Sequence, residues 1–177
     1  MWEKAGVTRF EEMALPHMEA AYNLARWLTG NDHDAEDVVQ ESYLRALKFF
    51  AGFRGENGRP WLLTIVRNTC YTWLRQNRMG ELTTDIEEEV QLADTTSVDP
   101  EAILLAAARA ESVQRALQEL PIEFREIVIL RELEGLSYKE IAEIAAIPVG
   151  TVMSRLARAR ARLQKLLSEP GLTEART

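Results

Sequence analysis

Residues 136–167 read LSYKEIAEIAAIPVGTVMSRLARARARLQKLL. The local chemistry of this stretch decides the fold. Ser137, with Glu140 three residues on, has the form of a capping box, in which each side chain satisfies a backbone donor of the other residue at a helix start. Ile141, Ile144 and Ala145 then give a short helix one apolar face, and Ala142 leaves room for a close neighbour. Ala146-Ile147-Pro148 breaks that helix, and proline is tolerated where a new one begins. From there Val152, Leu156, Ala159, Leu163 and Leu166 recur at steps of four and three, which makes one buried stripe. Arg155, Arg158, Arg162 and Lys165 repeat those steps about 100° further round the helix, so they form a separate exposed stripe. A capped short helix, a tight break and a long basic helix predict a helix-turn-helix whose second helix enters duplex DNA. No Ser, Thr, Asp or Asn stands just before Pro148. The free amides beside Thr151 are thereby left for a DNA phosphate.

Upstream, residues 108–120 form an amphipathic pattern that Pro121 stops. A second helix over 123–134 carries Phe124, Ile127, Val128 and Leu130 inward and ends at Gly135, the residue type favoured just past a helix C-terminus. These segments complete a small lobe over 108–168, with 169–177 as a tail.

The first 79 residues read as a second helical lobe. Ala21, Leu24, Ala25 and Leu28 are the inward face of a helix over 18–29, and Gly30-Asn31-Asp32 turns the chain. In the next helix Asp34, Glu36 and Asp37 lie in the first turn, where the helix dipole favours acids. Val39, Tyr43, Ala46 and Phe50 suit its buried side. Asp37, Gln40 and Glu41 make a polar row on the other. A Gly-rich loop over 53–60 with Arg54 and Arg59 leads into a third helix over 61–78. Its buried side is predicted to be Leu62, Ile65, Thr69 and Trp73. Its outer side holds Asn68, Tyr71 and Arg75, with Arg67 nearby. Arginine, amide and aromatic side chains together suit a surface that grips phosphate and unstacked bases.

The chain of 177 residues carries a net charge of −7, which taken whole argues against nucleic acid. The charge is unevenly spread. Residues 81–111 hold nine acids against one base, Arg109, whereas residues 144–168 hold no acid at all. A local basic stripe decides nucleic-acid contact better than the whole-chain sum does. Residues 80–107, acidic and without sustained periodicity, read as a flexible linker. The predicted class is therefore all-α, two small helical domains joined by an acidic strap.

Other chemistries find little support. Asn31-Asp32-His33-Asp34 sets a histidine among carboxylates, but helix starts attract acids and His17 is remote, so no metal site is read there and no cofactor is implied. The single Cys70 cannot form an internal disulfide, which suits a reducing cytoplasm. Apolar runs are interrupted by charge every few residues, so neither membrane insertion nor a signal peptide is expected. No nucleophile–base pair or phosphate-cradling loop speaks for an enzyme or a small-molecule substrate.

Five strings carry a family resemblance: DAEDVVQE at 34–41, FRG at 53–55 with Trp61-Leu62, Leu120-Pro121 through Arg125-Glu126, EGLSYKEIA at 134–142 and PVGTVMSR at 148–155. With them, residues from about 10 to 78 and 110 to 167 resemble regions 2 and 4 of bacterial sigma factors, the subunits that give RNA polymerase its promoter specificity. Regions 2 and 4 joined directly resemble the extracytoplasmic-function class. The resemblance implies that Asp37, Gln40 and Glu41 dock on the coiled coil of the polymerase β′ subunit, and that the C-terminal lobe meets the β flap. It implies that Arg54, Arg59, Arg67, Asn68, Tyr71 and Arg75 serve melting and reading of the −10 element. It implies that Thr151, Met153, Ser154, Arg155, Arg158 and Arg162 serve the −35 element. An anti-sigma factor is a further implied partner. Met153 departs from the Lys or Arg usual there, so base-edge hydrogen bonding is lost at that position. A freestanding helix-turn-helix regulator is the alternative reading. It predicts tight specific binding without polymerase, usually as a dimer on paired half-sites, and no dimerisation helix is visible.

Overall fold

The computed structural model describes residues 2–77 and 99–168, all of them helical or in short turns. The acidic stretch as far as residue 98 and the tail from 169 lie outside the described residues. Helices α1 (Trp2–Ala14), α2 (Met18–Thr29), α3 (Asp32–Phe49) and α4 (Gly58–Asn77) build the N-terminal lobe. Helices α5 (Pro100–Glu119), α6 (Ile122–Val128), α7 (Tyr138–Ala145) and α8 (Val149–Ser168) build the C-terminal lobe, with a π-helical turn over Ile129–Leu133 extending α6.

The N-terminal helices start and stop for local reasons. Asn31 caps α3 by accepting the Asp34 amide at 2.8 Å, and Asp32 takes Arg26 Nε at 2.6 Å and the Tyr22 hydroxyl at 2.9 Å. These bonds tie the α2–α3 turn at both ends. Small residues let the helices approach closely: Ala20, Ala21, Ala25 and Ala35 are buried beside Leu24, Leu28 and Val38. At the start of α4, Gly58 lies against α1 so closely that a Cβ would collide with Met13 Sδ. An aromatic cluster seals this end, with Phe53 and Trp61 ring centroids 4.7 Å apart and Phe10 5.4 Å from Phe50.

Three expected details change. The fully buried positions of α3 are Ala35, Val38, Ser42 and Ala46, while Val39, Tyr43 and Phe50 are half-buried at the stripe's edge. On α4, Leu63, Val66 and Cys70 join Leu62 and Thr69 in the core, while Ile65 and Trp73 are only half-buried. The helix is covered on more of its circumference than a surface helix of one lobe would be. Helix α5 begins at Pro100, eight residues before the expected 108, because Asp99 accepts the Glu101 amide at 3.2 Å and Pro100 occupies the first turn.

The two lobes are packed together. One continuous apolar cluster runs from Leu24, Val66 and Cys70 through Ile127 and Leu130 to Ile141 and Leu156. Helix α4 packs on α7, and α2 packs on α6. Burying a leucine or isoleucine is worth about 1.5–3 kcal/mol, and such side chains line the seam on both flanks.

Candidate nucleic-acid interface

The helix-turn-helix forms as its sequence predicts. Ser137 Oγ accepts the Glu140 amide at 3.2 Å and Glu140 Oε2 accepts the Ser137 amide at 2.8 Å. Gly135 just upstream has φ +65°, which a side chain would strain. Helix α7 ends at Ala145 and is capped by Ala146, left-handed with φ 54°, and Pro148 O then accepts the amides of Thr151 and Val152 at 3.0 and 3.1 Å. Val152, Leu156 and Ala159 are buried, with Leu163 and Leu166 half-buried along the same stripe.

Away from that stripe, Met153, Ser154, Arg158 and Arg162 are exposed, whereas Arg155 and Thr151 are half-buried. Ser154 Oγ donates to Thr151 O at 3.1 Å, so its hydroxyl is engaged within its own helix. The Arg162 guanidinium stands 6.0 Å from the Phe124 ring. Arg160, outside the expected stripe, pairs with Glu132.

The residues expected on the outer side of α4 and its preceding loop divide into two groups. Arg54, Asn68 and Arg75 are exposed. Arg59, Arg67 and Tyr71 are turned into the seam between the lobes. Arg67 grips Glu126 of α6 in a two-pronged pair, Nε to Oε2 at 2.7 Å and Nη2 to Oε1 at 3.2 Å. The Glu126 side chain is fully buried. Burial pushes its pKa up against the pull of Arg67. The same guanidinium lies 4.2 Å over the Tyr71 ring. The Tyr71 hydroxyl is buried, without a hydrogen-bond partner among the described residues, and its pKa is raised by that burial and by the Glu126 charge. Arg59 donates to Glu134 O at 2.7 Å and to its Oε2 at 3.2 Å, and Asn23 reaches Glu134 Oε1 at 3.2 Å. Asn57 meets Glu140 Oε1 at 3.3 Å, and Arg125 donates to Trp27 O at 3.2 Å.

Sequence reasoning passed over Glu126 and Glu134. Glu126 borders an apolar run and Glu134 precedes a helix-ending glycine, positions where an acid ordinarily faces water, and their partners lie 59 and 75 residues away. Cys70 sits in the same buried region, where desolvation pushes its thiol up to about 12.

On α3, Asp37, Gln40 and Glu41 are all exposed. Glu41 is bonded to Arg45 Nε at 2.7 Å, and His33 Nε2 stands 3.8 Å from Asp37. Beside this row runs an apolar groove of about 560 Å³ lined by Met18, Tyr22, Val39, Tyr43, Leu44 and Leu47, a feature the sequence reading did not anticipate.

Comparison with known families assigns both lobes. The model of sigma-70 region 2 matches residues 13–79, and that of sigma-70 region 4 matches residues 110–163. The chain belongs to the sigma-70 family. The ECF RNA polymerase sigma factor SigE of Mycolicibacterium smegmatis is 32% identical over 168 residues, covering 94% of this chain and 65% of its own length. The RNA polymerase sigma-H factor of Pseudomonas aeruginosa is 33% identical and covers 94% of this chain and 89% of itself. Among solved structures, the sigma factor RpoE in complex with the anti-sigma factor NepR from Bartonella quintana superposes with a TM-score of 0.74 at 30% identity. That match spans 90% of this chain and 96% of the other. This sigma factor is an alternative, extracytoplasmic-function type, which directs transcription initiation by RNA polymerase. No helix among its described residues is long and apolar enough to cross a membrane.

Proposed function

We propose that the sigma factor carries its three tasks on separate faces. Asp37, Gln40 and Glu41 dock on the β′ coiled coil, and the C-terminal lobe meets the β flap. Arg54, Arg59, Arg67, Asn68, Tyr71 and Arg75 melt and read the −10 element. Thr151, Met153, Ser154, Arg155, Arg158 and Arg162 read the −35 element. The observation that carries this reading is the basic, acid-free α8 on a capped helix-turn-helix, in the same chain as an exposed acidic row on α3. The protein acts in the cytoplasm and catalyses no reaction itself. Polymerase supplies the chemistry, and tethering to it raises the effective concentration of both DNA-reading lobes. Net negative charge fits that division, since it discourages the free chain from coating non-specific DNA. An anti-sigma factor holds the protein in reserve, as the likeness to a sigma factor bound by one suggests.

In vitro transcription with core polymerase on a promoter library tests the proposal. Discrete start sites that appear only when the protein is added are expected. Footprints on duplex DNA without polymerase, with no new start sites, would overturn it in favour of a freestanding regulator.

A further inference from the structure

We propose that Met13 of α1 is a positioning residue for −10 recognition. It fixes Gly58 at the downstream end of the loop before α4, so that Arg54 is presented in one preset place. The inference rests on the assignment of Arg54 and the α4 face to the −10 element made above.

The loop residues 53–57 have no regular structure, and Arg54 among them is exposed. Tied only at its ends, so short a segment would still move. Here it is held along its length. Phe53 donates its amide to Phe50 O at 2.9 Å, and its ring packs on those of Phe50 and Trp61, with centroids 6.1 and 4.7 Å away. Gly55 lies against that ring, where a Cβ would come within 2.9 Å of Phe53 Cε2. Gly58 is buried against α1, where a Cβ would collide with both Sδ and Cγ of Met13. More than the tip of the methionine would have to shift. Only a residue without a Cβ lets the loop end and the helix approach this closely.

Helix α1 is itself fixed. The Tyr43 hydroxyl on α3 donates to Ala14 O at 2.8 Å, next to Met13. Phe10, Ala14, Ala46 and Leu62 form a small core separate from the main apolar cluster, and Met13, Phe50 and Trp61 pack against it. The side chains of this second core are thus the ones that hold the loop. Close-packed interiors transmit a change of volume rather than absorb it, so the fit of Met13 on Gly58 reaches Arg54. A loop ordered in advance loses less conformational freedom when it binds, and it discriminates by its fixed shape.

The test uses holoenzyme assembled from core polymerase and the full chain. Its template is one active promoter from the library, with every single-base substitution of its −10 and −35 elements. Wild type, Gly58→Ala, Met13→Ala, the double variant, Arg54→Ala and Asn68→Ala are compared. Transcription is read as separate −10 and −35 preference profiles, and each free protein is melted. Gly58→Ala is expected to flatten the −10 profile by about two- to tenfold and to leave the −35 profile as it is. A general loss of folding would depress both. Adding Met13→Ala removes the atoms that the new methyl meets, and should restore the −10 profile. A folded Gly58→Ala protein with the wild-type −10 profile overturns the proposal, as does a flattened profile that Met13→Ala fails to restore. Should Gly58→Ala not fold, Met13→Ala alone carries the readout, because the gap it leaves frees the loop end. An unflattened −10 profile there overturns the proposal too. If Arg54→Ala and Asn68→Ala both leave the −10 profile unchanged, the −10 assignment itself fails and the inference falls with it. If they alter it while Gly58→Ala does not, the assignment stands and only the positioning role is lost.

Discussion

Ser137 and Glu140 bond each other's backbone amides at the first turn of α7, at 2.8 and 3.2 Å, and this reciprocal pair sets where the helix-turn-helix begins. Helix α7 is only eight residues long, too short to persist without such help. Ser137→Ala leaves the Glu140 amide without its acceptor and costs about 1 kcal/mol of stability. Urea denaturation should register this as a lower midpoint with unchanged slope. Ser137→Asp, which can accept the same bond, should recover most of it. An equal loss in both variants would show that the cap is not what matters there.

Glu140 also gives the lobe an acid limit. Its bond to the Ser137 amide is the largest influence holding its carboxyl below the usual value, aided by Ser137 Oγ, Asn57 and the Arg59 charge. A folded-state pKa below the unfolded one means that the unfolded chain binds the proton more readily. The resulting stability is present in full above the ordinary glutamate pKa of about 4.3, and is lost as pH falls through the lower folded value. Glu140→Gln should therefore flatten the decline between about pH 5 and pH 3, measured by thermal melts of both proteins across that range. Parallel curves would assign the acid limb to other carboxylates.

Both of these features were legible in the sequence, as were Gly135 and the helix start after Pro148, because each is set by residues within one turn of each other. The closure of the lobes was not. Glu126 precedes the apolar run Ile127–Leu130, and such an acid reads as the solvent edge of a helix. Only a guanidinium brought from 59 positions away makes its burial tolerable. The same closure explains α4, whose Val66 and Cys70 are buried and whose Tyr71 is half-buried because a second lobe covers what one lobe alone would expose. The early start of α5 was legible in part. Asp99-Pro100 is a cap followed by a first-turn proline, but it was hidden inside a run read as acidic linker.

The exposed row on α3 can be changed without disturbing packing. Glu41 and Gln40 face solvent, and among the described residues the side-chain pair at stake is Glu41–Arg45 on the helix surface, worth about 0.3–0.5 kcal/mol. If the proposed docking role of this row holds, Glu41→Lys should leave the melting temperature nearly unaltered while weakening association with core polymerase by about tenfold or more, since reversing a charge at an interface disturbs its electrostatic complementarity. Gel filtration or anisotropy titration with core enzyme measures it. Free-protein binding to duplex DNA should not fall. Undiminished polymerase affinity would remove this face from the docking site.

On the proposed −35 role of α8, Met153 is the side chain whose substitution is most informative. It is 52% exposed and has no charge to offer a base edge or a phosphate. What a thioether can do in a major groove is pack against a thymine methyl. Shortening it to alanine, in Met153→Ala, should lower transcription most on promoters with thymine at one −35 position, by a few-fold, and leave other positions alone. Met153→Arg should shift preference at that position towards guanine, whose O6 and N7 accept both prongs of an arginine. It should also steepen the salt dependence of promoter binding, because an added cation contacting DNA releases an additional counterion. Reporter transcription across single −35 substitutions, with binding repeated at several salt concentrations, separates the two effects. An identical preference profile in wild type and Met153→Ala would mean that this side chain does not touch a base.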